Sequence, residues 1–169
     1  QADTMISEET VLVMAGTASQ LSSFDARLRR EAGSGAETSP DGPVLVLGGG
    51  RVGLAAARNL RGRGLEVVIV DRREVPAEEG IGFVKGDAAD LAVLESAGIR
   101  SAPSVIITTP DDDTNIYLTI YCRRLRPDMQ IISRATLGRN VGILHSAGAD
   151  LVLSLVSMMS DAIINLLSP

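Results

Sequence analysis

Cysteine and histidine each occur once in 169 residues. A single cysteine excludes an internal disulfide framework and any cysteine-rich zinc site. A single histidine leaves a transition-metal centre without its usual ligands. Tryptophan is absent and aromatics total 2%, so the stacking platforms that hold single-stranded nucleic acid are missing. Lysine occurs only at Lys85, which leaves no lysine for a Walker-type phosphate loop at the glycine cluster. The net charge of −5 opposes non-specific binding to DNA or to an anionic membrane surface. No apolar run approaches the ~20 residues that span a bilayer. No basic segment followed by an apolar run opens the chain as a signal peptide would. What is present is 45% hydrophobic and 22% charged residues, the balance of an ordinary globular chain. The length suits one full domain and a short extra piece. The expectation is a soluble cytoplasmic domain with no nucleic-acid partner and no direct membrane insertion.

Composition breaks at residues 31–42, where Gly, Ser and Pro dominate without an apolar period; this reads as a linker. Before it, Thr10 to Ala15 reads as a strand. Thr17 with Gln20 reads as a capping box opening a helix. These 30 residues cannot bury a core alone and must pack on something else. After the linker, short apolar runs alternate with helical periods. Strands are expected at 44–47, 66–70, 81–84, 105–109, 130–133 and 151–153. Helices are expected at 51–63, around 91–97, at 112–124, at 139–146 and at 156–167. Strands apolar on both faces that alternate with helices predict a doubly wound α/β domain around a six-stranded parallel sheet, of Rossmann type. VLVMAG at 11–16 echoes VLVLGG at 44–49, as any buried strand ending in a tight turn would.

The chemistry concentrates in Gly48-Gly49-Gly50-Arg51-Val52-Gly53. Glycines at 48, 50 and 53 form G-x-G-x-x-G between a strand and a helix, the context that this fingerprint requires. Gly48 allows the tight turn, Gly50 lets backbone approach a diphosphate, and Gly53 lets the helix pack on the strand. The helix N-terminus offers free N–H groups and about half a positive charge to phosphates. Asp71 follows Gly53 by 18 residues, at the end of the second strand, where an acid accepts hydrogen bonds from ribose hydroxyls. A carboxylate there disfavours a 2′-phosphate. Arg72 and Arg73 either offset that repulsion or form a solvated turn. Asp87, with Ala88, lies beyond the third strand, on the same sheet edge. It either meets the adenosine or caps the next helix. Asp90 reads as a helix cap. Asp111, Asp112 and Asp113 read as capping and dipole compensation, not as a metal site. Arg134, in an otherwise apolar strand, either contacts a phosphate or carboxylate or pairs with Asp111 or Asp87. His145 and Cys122 have no visible catalytic partner and take no role.

Together the segments GGGRVGLAAARNL, VVIVDRR, GDAADLAVLESAGI, SVIITTPDDDTNIYLTIYCRRL, IISRA and LHSAGADLVLS resemble, in order, the RCK family, also called the TrkA-N or KTN domain. The resemblance spans about residues 43–168 and implies a cytoplasmic Rossmann-type domain at the inner face of the membrane. It implies binding of NAD(H) or of ATP, ADP or AMP, with the bound state passed to a potassium channel or transporter. It implies pairing as a homodimer and assembly into a larger gating ring. On this resemblance Gly48, Gly50, Arg51, Val52 and Gly53 hold the phosphates. Asp71, with Arg72 beside it, holds the adenosine ribose. Asp87 and Ala88 lie near the adenine, Thr109 lines the pocket, and Arg134 approaches the phosphate side. The last helix would be a crossover or dimer helix. Residues 1–30 resemble the end of a preceding C-terminal lobe of the same family. Gly49 stands where many members carry a bulkier residue.

The preferred reading is a non-catalytic regulatory module that binds a nucleotide. The alternative is a fragment of an NAD-dependent oxidoreductase, which would need a substrate domain and an acid or base near the nicotinamide. A purely structural assembly module is the third reading.

Overall fold

The structure is a computed structural model that describes residues 42–154. The strand expected at 10–15, the helix after it, the linker and the helix expected at 156–167 lie outside the described residues.

The elements alternate as the sequence predicts. Strand β1 is Val44–Leu47, β2 is Val67–Asp71, β3 is Ile81–Lys85, β4 is Ser104–Ile107, β5 is Gln130–Ala135 and β6 is Leu151–Ser154. Helices α1 (Arg51–Gly62), α2 (Leu91–Ser96), α3 (Asp112–Leu125) and α4 (Val141–Ser146) fall between them, with a 3₁₀ turn at Gly138–Asn140. The fourth strand stops before Thr108, two residues short of the expected end, and the freed threonines form part of the site described below. The helix expected at 139–146 divides into that 3₁₀ turn and α4.

All strand pairs are parallel, in the order β3-β2-β1-β4-β5-β6. The chain moves outward from β1 to β3, then returns to β4 on the other side of β1. The β1–β4 boundary is therefore the switch point, where loops diverge and leave a crevice at the carboxyl ends of the strands. β1 is buried throughout, as a central strand of a doubly covered sheet must be. Leu45, Leu47, Val105, Ile107 and Ile131 join Leu94, Leu118 and Leu144 from α2, α3 and α4 in one core. Val46, Val67 and Ile69 pack on Ala57, Leu54 and Leu60 of α1 in a second. Alternate residues of each strand thus face opposite helices, and each fully buried aliphatic side chain stabilises the fold by roughly 1.5–3 kcal/mol.

Polar side chains fix the ends of the strands. Asp90 caps α2 by accepting from the Ala92 N–H at 2.9 Å, and Asp111 caps α3 by accepting from the Thr114 N–H at 2.9 Å. Asp112 does more than compensate the dipole. Its buried carboxylate accepts from the Thr136 N–H at 2.7 Å, the Leu137 N–H at 2.9 Å and Asn140 Nδ2 at 2.8 Å, tying the start of α3 to the loop after β5. At the other end of α3, Arg123 donates to the Gly148 and Met129 carbonyls and to Asp150, whose carboxylate also accepts from the Ile131 N–H.

Burial pushes the Asp112 carboxyl up, but its N–H donors outweigh that and hold it below the ordinary carboxylate range. A depressed folded value means that this contribution is full above the unfolded value (~3.9) and is lost as pH falls through the folded one. Asp112→Asn should destabilise the domain by about 1–3 kcal/mol at pH 7 through lost charge-assisted acceptors. Urea unfolding from pH 7 to pH 2 should show the gap between variant and wild type closing below pH ~4.

Candidate functional site

The turn after β1 is built by three contacts. Gly48 takes φ +108°, a conformation that a side chain rarely tolerates. Its N–H continues the sheet by donating to the Val70 carbonyl at 2.8 Å. Its carbonyl accepts from Thr108 Oγ1 at 3.0 Å, which ties the turn to the end of β4. Gly53 lies directly against this turn. A Cβ at residue 53 would come 1.9 Å from the Gly48 carbonyl oxygen and 2.8 Å from Thr108 Oγ1. The first turn of α1 can therefore sit on β1 only if residue 53 lacks a side chain.

Gly50 differs. It is the N-cap of α1, its backbone is extended, and a Cβ there would meet nothing within 4 Å. The α1 N-terminus has neither a side-chain cap nor an acidic residue in its first turn. By contrast α2 and α3 are both capped by aspartate. The first N–H groups of α1 thus keep their donor capacity and their share of the helix dipole for an anion. Gly49 has no room for a bulkier residue, because a Cβ there would lie 2.2 Å from Val75 Cγ1. In this chain Val75, from the connector between β2 and β3, fills the space that a larger residue 49 would take.

A cleft of about 300 Å³ opens at the carboxyl ends of β1, β2, β3 and β4. Seven of the expected residues line it: Gly48, Gly50, Asp71, Arg72, Asp87, Ala88 and Thr109. Gly53 stands behind the turn as packing, Arg51 and Val52 are exposed on the first turn of α1, and Arg134 lies half-buried on β5. None of these four lines the cleft. Neither Asp87 nor Asp111 pairs with Arg134. Asp87 pairs with Arg72 at 2.6 Å, and Asp111 receives the N–H and hydroxyl of Thr114.

Asp71 accepts from the Gly49 N–H at 2.7 Å and from the Arg73 N–H at 2.8 Å. Burial pushes its carboxyl up, yet these donors and the Arg73 guanidinium outweigh that and hold it below the ordinary range. Asp87 is held down first by the Ala89 N–H and further by Arg72, against its partial burial. Asp111 is held down by the Thr114 hydroxyl and N–H. Every carboxylate on the cleft is therefore charged near pH 7. Asp87 does not cap α2, whose cap is Asp90; it closes an Asx-type turn with Ala89 and lines the cleft.

Three side chains that support the site escaped the sequence reading. Thr108 joins β4 to the glycine turn. Asn115, fully buried, accepts from Thr109 Oγ1 at 2.6 Å and donates to the Thr109 carbonyl at 3.1 Å and the Arg134 carbonyl at 2.9 Å. Leu118 forms part of the cleft floor. The available signal was position: Asn115 shares a helical face with Leu118, Thr119 and Cys122, and a lone amide on an apolar face needs buried partners. Cys122 is fully buried, and burial pushes its thiol up to about 12, so it is inert as a nucleophile. Among the described residues, no group of three or more His, Cys, Asp or Glu is placed to hold a metal ion.

The glycines separate cleanly by variant. Gly53→Ala should lower stability by about 1–3 kcal/mol or more, because the clash is with backbone. Gly50→Ala should cost about 1 kcal/mol or less, the penalty of a poorer N-cap residue alone, because its methyl group meets no atom. Thermal denaturation distinguishes the two.

Comparison with known proteins places this geometry. Residues 44–155 match the TrkA-N domain model. A Trk system potassium uptake protein TrkA homolog from Pyrococcus abyssi is 35% identical over 98 residues, which cover 55% of this chain and 43% of that protein. The GsuK bound to ADP is 40% identical with a TM-score of 0.68, covering 78% of this chain and 35% of that one. The GsuK channel bound to NAD is 39% identical with a TM-score of 0.73, covering 89% and 26%. The chain thus spans less than half the length of each of these relatives. A match running from the first residue of β1 to just past β6, on a sheet with the Rossmann strand order, establishes that the chain belongs to the TrkA-N domain family.

Proposed function

We propose that this domain binds an adenine nucleotide in the cleft at the carboxyl ends of β1, β2, β3 and β4 and that the bound state regulates a potassium channel or transporter. The observation that carries the reading is the uncapped α1 N-terminus beside an unfilled space at Gly50, opening onto a cleft that Asp71 borders. In this reading Gly48, Gly50, Arg51, Val52 and Gly53 form the phosphate site, with Gly53 acting through packing. Asp71 and Arg72 serve the adenosine ribose, Asp87 and Ala88 the adenine, Thr109 the wall, and Arg134 the outer phosphate side. NAD(H), ATP, ADP and AMP are the candidate ligands. The neighbours bound to ADP and to NAD support that range.

A regulatory role suits the cleft better than hydride transfer. Its ionisable lining consists of three aspartates held below the ordinary carboxylate range and two arginines. None of the three aspartates is tuned to exchange a proton near pH 7, as a dehydrogenase acid or base must be. Regulation requires that the nucleotide bind two states of the assembly with different affinity. In this reading the domain works at the cytoplasmic face of the membrane, as a homodimer or within a larger ring, on a potassium channel or transporter in the same or a partner polypeptide. Residues 43–169 form the nucleotide-binding domain, residues 31–42 a linker, and residues 1–30 the end of a preceding lobe.

Calorimetry with NAD, NADH, ATP, ADP and AMP tests the ligand claim. At least one should bind with a 1:1 stoichiometry, and Asp71→Ala should weaken it by about 10-fold or more, the scale of one lost hydrogen bond to a charged group. No binding by any of the five contradicts the reading. Substantial turnover in a hydride-transfer panel would favour the oxidoreductase instead.

A further inference from the structure

The cleft treats its two cations in a specific way. Among the described residues, Arg72 and Arg73 are the only basic ones on its lining, and each already faces a carboxylate. Arg73 donates from Nε to Asp71 Oδ1 at 3.4 Å. Arg72 donates from Nη2 to Asp87 Oδ2 at 2.6 Å. Asp87 is itself oriented, because its other oxygen accepts from the Ala89 N–H at 3.0 Å. Asp111 adds a third carboxylate, so two arginines and three aspartates leave the lining at a net charge of −1. A phosphate monoester brings roughly −1.5 to −2 near pH 7. At the ribose edge of β2 it is accommodated by a free arginine. Asp71 alone would not exclude it, since Arg72 follows immediately and would offset the repulsion if unpaired. The Arg72–Asp87 pair is well exposed, 72% and 44% for the two side chains, and such pairs contribute little to folding. Its effect is on which charge the cleft presents.

We propose that Asp87 is a specificity-determining residue that occupies Arg72, so that the site accepts adenine nucleotides with a free 2′-hydroxyl and rejects their 2′-phosphorylated forms. This rests on the nucleotide-binding reading above.

The test compares two ligand pairs by calorimetry: NAD with NADP, and AMP with adenosine 2′,5′-bisphosphate. In the wild type the 2′-phosphorylated partner of whichever pair binds should be weaker by at least about tenfold. Asp87→Asn keeps an oxygen for the Ala89 N–H and removes the charge. It should cut the discrimination by about tenfold, the scale of one unit charge several ångströms away near a protein surface. Adding Arg72→Ala to Asp87→Asn should restore the discrimination. Circular-dichroism melts establish that both variants are folded. Unchanged discrimination in Asp87→Asn, with the unmodified nucleotide still bound, overturns this inference alone. So does an equal weakening of both members of a pair in a folded Asp87→Asn chain, which would leave Asp87 with its adenine contact alone. Failure of all four ligands to bind the wild type overturns the nucleotide reading, and this inference with it.

Discussion

The architecture of the site depends on one steric fact: residue 53 must present only a hydrogen to the Gly48 carbonyl. That close approach seats the first turn of α1 on the end of β1, and Thr108 locks the same carbonyl from β4. Everything downstream follows from it. The first turn of α1 is left uncapped, Gly50 has open space around it, and the loop after β4 lines the cleft. A doubly wound sheet supplies a crevice wherever its strand order reverses. The glycine contact decides that the uncapped first turn of α1 stands beside this crevice.

The scarcity of histidine, lysine, cysteine and aromatics takes on meaning in that light. Phosphate recognition by backbone N–H and a helix dipole needs no lysine. The ionisable groups that line the cleft are each paired or bonded: Asp71 to Gly49 and Arg73, Asp87 to Ala89 and Arg72, Asp111 to Thr114. The cleft is thus electrostatically settled, which suits a site that senses a ligand by binding and not by chemistry. Behind it, Asp112 and Asn115, three residues apart at the start of α3, hold the ends of β4 and β5. The wall contributed by Thr109 is therefore fastened to the same frame as β5.

Much of this was readable from the chain. The parallel sheet follows from strands that are apolar on both faces, and the glycine turn from its place between a strand and a helix. Asp71 follows from its spacing, and the Asp90 and Asp111 caps from their position before an apolar period. What could not be read depends on residues that meet only through the fold. Asp112 looks like one more N-terminal acid, yet its partners lie beyond β5, at Thr136, Leu137 and Asn140. Thr108 looks like a strand residue, yet it bonds Gly48 across the sheet. Gly49 gains its reason only when Val75 is seen filling the missing side chain's place. Arg72 looks like a free cation beside Asp71 until the turn after β3 brings Asp87 to it. Local pattern fixes which elements form, whereas tertiary pairing decides what each polar side chain does.

The central claim is that the amides of the β1–α1 turn receive the phosphates of an adenine nucleotide. Amide ¹H–¹⁵N spectra recorded during titration with ADP test it most directly. The account predicts saturable shifts that are largest at Gly50, Arg51, Val52 and Gly53, with a second group at Asp87 and Ala88. Shifts confined to residues away from this turn, or none at all up to millimolar ADP while another adenine nucleotide also leaves the turn unmoved, would contradict it.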